Sequence, residues 1–176
     1  MFRKLLVTGL SASLLALAGF ATSGHLAAKA AGNVAVCTVS GSASSSTGLG
    51  PPPGGPTTFN FIGSISCTGT LSGGGTFSGS TFCPSGNLVY CGVGLGGTVS
   101  FNATVGAHTI VGVNCLLTQA GAVVKVSCFA AAGFGSWTID GSPGILLGGP
   151  VVFTPTNVGA PPVKNVNFTG VILATY

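Results

Sequence analysis

His108 and Asp140 come first, because the sequence offers little else with which to move a proton. The chain has a single acidic residue, Asp140, and two histidines, His25 and His108. A serine activated by a histidine and an acid would have to use His108 as its base and Asp140 as the carboxylate that orients it. Serines are abundant enough for one always to complete such a set, and no Gly-x-Ser-x-Gly elbow singles one out. Glycoside hydrolysis by a pair of carboxylates is impossible with one acid. His108 is better read as a strand-edge residue after the turn-prone Gly106-Ala107. Asp140-Gly-Ser-Pro-Gly144 reads as a turn in which the aspartate supplies a hydrogen bond. The expectation is a protein that is not an enzyme.

The cysteines are the next group with chemistry to offer: Cys37, Cys67, Cys83, Cys91, Cys115 and Cys128. No Cys-x-x-Cys pair is present, so a zinc site lacks its usual spacing. Calcium would want more carboxylates than the chain has. Gly92 to Gly97 matches a dinucleotide-binding fingerprint by letter, but a strand follows where that motif needs a helix. No metal or cofactor is expected. Among the aromatic residues, Tyr90, Tyr176 and Trp137 are candidates for stacking against a sugar or an apolar ligand. Phe59, Phe61, Phe77, Phe101 and Phe168 fall on core-facing parities. Trp137 is the one possible ligand contact, weighed against simple core packing.

Placing these residues requires the elements around them. Arg3 and Lys4 precede an apolar stretch, Leu5 to Phe20, and small residues end at Ala28-Lys29-Ala30. That is the layout of a cleavable secretory signal over residues 1–30, with a mature domain at 31–176. Beyond residue 30 the charged side chains are Lys125, Lys164 and Asp140, a net charge of +1. Only 3% of the whole chain is charged, against roughly 25% in an ordinary domain. Such a chain has no footprint for nucleic acid. An even set of cysteines behind an export signal reads as disulfides in a secreted or cell-surface protein.

Apolar residues alternate with polar ones through nearly all of the mature chain, and 31 glycines oppose helix. About ten short strands are predicted, near 33–40, 57–67, 75–82, 87–93, 97–105, 107–117, 122–130, 134–140, 149–154 and 163–175. Many short strands punctuated by glycine turns suggest an antiparallel β-sandwich, with a closed β-barrel as the alternative. The Pro-rich stretch 48–56 is expected to be a loop between two strands of one domain. Gly121-Ala122 suits a type II′ turn, and the register it sets places Cys115 opposite Cys128. Proximity then suggests Cys83 with Cys91 and Cys37 with Cys67, although six cysteines allow many other connectivities.

Several segments have a familiar look. Cys37-Thr-Val-Ser-Gly41, the run from Phe59 to Thr70, Gly75-Thr-Phe-Ser-Gly-Ser80 and Gly97-Thr-Val-Ser-Phe101 resemble small secreted, cysteine-containing β-proteins of actinobacteria. The resemblance implies an exported disulfide-bearing β-sandwich and transfers no functional residue. The expected function is a structural or surface-interaction role outside the cell or at its envelope. The alternative is a binding module for envelope glycan or a small apolar ligand. Near-neutral charge, and an apolar C-terminal run that is either a doubly covered central strand or an adhesive edge, point to self-association or to envelope components as partners. No transmembrane helix is expected in the mature chain.

Overall fold

The computed structural model describes residues 33–87, 91, 96–128, 135–156 and 161–176. The expected signal segment, Tyr90 and most of the stretches 87–93 and 92–97 lie outside the described residues. The described elements are β1 (Val34–Leu49), β2 (Gly55–Gly69), β3 (Gly73–Gly86), β4 (Gly97–Val105), β5 (His108–Ala120), β6 (Val123–Cys128), β7 (Ser136–Ile139), β8 (Ser142–Pro143), β9 (Ile145–Pro155) and β10 (Val163–Thr175). Among the described residues no helix is long and apolar enough to cross a membrane.

The strands pair antiparallel as a meander from β1 to β6, then β6 with β9 and β9 with β10. β10 returns to β1, from Val34↔Thr175 to Ser44↔Asn165 and again at Leu49↔Val163. Of the two all-β architectures expected, the sandwich is corrected and the alternative, a closed β-barrel, is the one formed, with eight strands. A sandwich would leave the first and last strands as edges of separate sheets; here they satisfy one another's backbone groups, and closure removes the edge. β7 and β8 stand outside the ring. β6 is only six residues long and covers Leu116 to Ala120 of β5, so β7 takes the remaining edge at Ile110 to Val113.

Turn chemistry sets the registers. Gly121 has φ 61° while Ala122 does not turn positive, the pattern of a type II′ turn. Its hairpin runs from Ala120↔Val123 to Leu116↔Ser127, and one step further Cys115 and Cys128 form a disulfide with Cα atoms 4.6 Å apart. Gly106-Ala107 repeats this turn between β4 and β5, with φ 57° at the glycine. The other bridges are Cys37–Cys67, a directly facing pair of β1 and β2, and Cys83–Cys91. Sequential pairing holds for all six cysteines. β1 runs on to Leu49, so the Pro-rich loop contracts to a tight turn closed by Gly54 N–H donating to the Pro51 carbonyl.

Inward positions are apolar and outward ones are mostly Ser, Thr and Asn. On β1, Cys37, Val39 and Ala43 are buried while Thr38, Ser40, Ser42 and Ser44 are exposed. This alternation is the reverse of a transmembrane barrel, which turns its apolar side to lipid. β10 is neither an edge nor covered on both faces. It lies between β1 and β9 with Phe168 and Ile172 inside, and Val171 and Leu173 each remain 41% exposed outside. At the barrel end that carries the β2–β3 turn, Leu71, Val105, Ile110, Leu146 and Ala174 are all essentially inaccessible.

Each disulfide lies buried in the wall and limits the freedom of the unfolded chain. Replacing Cys115 and Cys128 together by serine is expected to lower unfolding free energy by about 3 kcal/mol, measured by denaturant titration of the oxidised protein. A change under about 1 kcal/mol would show that β5–β6 is held by its ladder and turn alone.

Candidate functional site

The barrel interior is built on a repeated cross-strand pairing of glycine with an aromatic ring. One row across the sheet reads Phe168, Gly41, Gly63, Phe77 on β10, β1, β2 and β3. A second reads Phe61, Gly79, Phe101, Gly112, Trp137 on β2, β3, β4, β5 and β7. A Cβ built on Gly63 or Gly41 would lie 2.8 Å from a ring carbon of Phe77 or Phe168, and one on Gly79 would lie 2.7 Å from Phe61. A Cβ on Gly112 would run into Phe101. Each ring thus lies over the bare backbone of the next strand, flat along the wall. No other residue leaves that space.

An eight-stranded barrel is about wide enough for its inward side chains to fill it. Here every glycine removes one side chain and the neighbouring ring spreads into the gap, so the centre stays open. The result is a cavity of about 130 Å³, close to the size that in other proteins accepts a benzene molecule. Phe61, Phe77 and Phe168 meet with centroids 5.8 to 6.3 Å apart, and Phe153 meets Phe168 edge-on. Aliphatic side chains from β1, β4, β6 and β9, among them Val39, Val99, Val126 and Val151, complete the lining. Among the described residues its only hydrogen-bonding side chains are Thr81 and Gln119, and no charged residue lines it.

Trp137 is 2% exposed and packs on Phe101 with centroids 5.8 Å apart. It does not line the cavity, and its indole Nε1 has no hydrogen-bond partner among the described residues. It belongs to the buried core, packed against a ring that does line the lumen.

His108 and Asp140 do come together. Asp140 and Gly141 both have positive φ, 50° and 78°, so the β7–β8 hairpin closes with a type I′ turn. The carboxylate then reaches β5: the Thr109 N–H donates to Oδ1 at 2.8 Å, and His108 Nδ1 pairs with Oδ2 at 2.7 Å. The Asp140 N–H completes the clasp by donating to the Thr109 carbonyl at 2.8 Å. The hydrogen bond from His108, followed by that from Thr109, holds the Asp140 carboxyl below its ordinary 3.8. Among the described residues no serine hydroxyl hydrogen-bonds His108, and no group of three His, Cys, Asp or Glu could hold a metal. The pair fastens the β7–β8 hairpin to β5.

Comparison with protein-family models, with curated proteins and with solved structures found no match.

Sequence reading reached the inward phenylalanines and the pairing of the cysteines. It missed Gly41, Gly79, Gly112, Thr81 and Gln119 as lumen-forming residues. The signal available was glycine on a core-facing parity, as at Gly63 and Gly170, where an ordinary core strand would carry a side chain.

With its folded pKa depressed, Asp140 stabilises the fold above the unfolded-state value near 3.9 and loses that contribution as pH falls through the folded value. It is the only acidic side chain of the protein, so thermal melts from about pH 5 down to about pH 2 isolate it from all but the terminal carboxyl. The wild type is expected to lose melting temperature toward the acid end, with a flatter profile for Asp140→Asn. Parallel profiles would show that the clasp contributes no stability.

Proposed function

We propose that the protein is a non-enzymatic, exported binding protein that holds a small apolar molecule inside its barrel. The observation that carries this reading is the glycine–phenylalanine wall, which leaves an unfilled apolar lumen in a barrel small enough to be packed solid. Export is supported by the buried disulfides and by the charged, apolar and small-residue regions at the N-terminus. A sugar-stacking role has less behind it, because Trp137 is buried in the core and does not line the cavity. NMR titration of the oxidised protein with toluene tests the reading. Saturable shifts confined to lumen-facing methyl and phenyl groups are expected, lost in a lumen-filling Ala103→Leu variant that still melts cooperatively. Absence of saturation in the wild type would overturn it.

A second reading, a surface-interaction protein, is favoured by the outer face of β1, β10 and β9. Val36, Leu173 and Leu147 stand in one cross-strand row, 41%, 41% and 49% exposed, flanked by Val34, Val171 and Ile145. The partner best suited to this face is a second copy of the chain. The ridge is aliphatic, and the low net charge opposes association little. It also lacks the basic and aromatic residues that seat a protein on lipid. Sedimentation at micromolar concentration should find a dimer that Leu173→Thr with Leu147→Thr reduces to monomer; a monomeric wild type would sink this reading.

A further inference from the structure

The lumen is apolar but not featureless. Gln119 stands on β5 next to the Gly121-Ala122 turn, and its Nε2 donates to the Gly121 carbonyl at 2.9 Å. That bond fixes the amide while leaving its carbonyl oxygen, a strong acceptor, with no protein partner among the described residues. Thr81 faces inward on β3, opposite Val99 of β4, and its hydroxyl likewise has no protein partner among the described residues. Both side chains are half-buried and line the same cavity. One offers an acceptor and the other a hydroxyl that can donate or accept. Among the described residues nothing in the lining carries charge. Lys125, the nearest charged residue in sequence to Gln119, is exposed and lies on the outward parity of β6 between inward Val124 and Val126.

Resting on the reading of the lumen as a binding site, we propose that its ligand is a neutral, hydroxyl-bearing aromatic or compact aliphatic molecule. Its apolar body fills the phenylalanine-lined space, and its single hydroxyl is recognised by Gln119 and Thr81. A pure hydrocarbon would leave these two groups desolvated without a partner, which a hydroxyl-bearing ligand avoids. A carboxylate or ammonium is rejected, since the lumen holds no counter-charge for a buried ion. The phenyl rings suit an aromatic body through edge-to-face contact.

Three probes of nearly one shape separate the terms: toluene, benzyl alcohol and benzoate at pH 7, titrated by NMR into the disulfide-bonded wild type, Thr81→Val and Gln119→Leu. Thr81→Val is nearly isosteric, so the test survives if Gln119→Leu folds poorly. Benzyl alcohol is expected to bind the wild type at least as tightly as toluene, and benzoate more than about a hundredfold more weakly. Each substitution should weaken benzyl alcohol relative to toluene by about tenfold. If toluene binds and the substitutions leave the alcohol-to-toluene ratio unchanged, hydroxyl recognition is wrong while the apolar lumen stands. Benzoate binding within tenfold of benzyl alcohol would overturn the claim of neutrality. If neither toluene nor benzyl alcohol binds, the lumen reading itself fails, and this inference with it.

Discussion

A phenyl ring and a side chain on the adjacent strand cannot share the same stretch of a narrow barrel's inner wall. In this protein the conflict is resolved at Gly41, Gly63, Gly79 and Gly112, where the neighbouring ring takes the place of the missing side chain. Glycine in a strand weakens it, by lost packing and by the extra backbone entropy surrendered on folding. The rings return part of that loss by covering the exposed backbone. What remains is an interior whose walls are well covered and whose centre is open. The disulfides and the long β1–β10 seam hold this wall around its open centre.

The three disulfides brace the chain locally. Cys37–Cys67 ties β1 to β2, Cys115–Cys128 ties β5 to β6, and Cys83–Cys91 joins β3 to Cys91, eight residues further on. Each lies between neighbours in the meander, so each shortens a local loop rather than spanning the barrel. Closure itself is left to hydrogen bonding between the first and last barrel strands. The polar exterior of Ser, Thr and Asn takes the role that charged residues usually fill, interrupted by the aliphatic ridge of β1, β10 and β9 and by separate exposed apolar residues such as Ile62, Phe82 and Val113.

Much of the local structure was legible in the sequence because it depends on local chemistry. Period-two alternation located β4 and β10 at their observed limits. A glycine–alanine turn fixed the β5–β6 register and with it a disulfide. Barrel and sandwich share the same alternation, however, and differ only in whether β1 meets β10, a contact more than a hundred residues apart in the chain. The lumen was illegible for a related reason. A glycine on an inward parity means little until its cross-strand neighbour is known, and Gly63 acquires its meaning only from Phe77. His108 and Asp140 were noticed as the scarce titratable pair, yet their meeting depends on the β7–β8 hairpin docking on β5, which no spacing in the sequence announces.

The open lumen can be tested without knowing the natural ligand. Xenon enters dry apolar cavities and scatters strongly, so a crystal of the oxidised protein held under xenon reports directly on the interior. An ordered xenon site among Phe61, Phe77 and Phe168, with their rings still lying over Gly79, Gly63 and Gly41, is the expected result. Rings turned inward to fill the barrel, with no xenon between them, would contradict it.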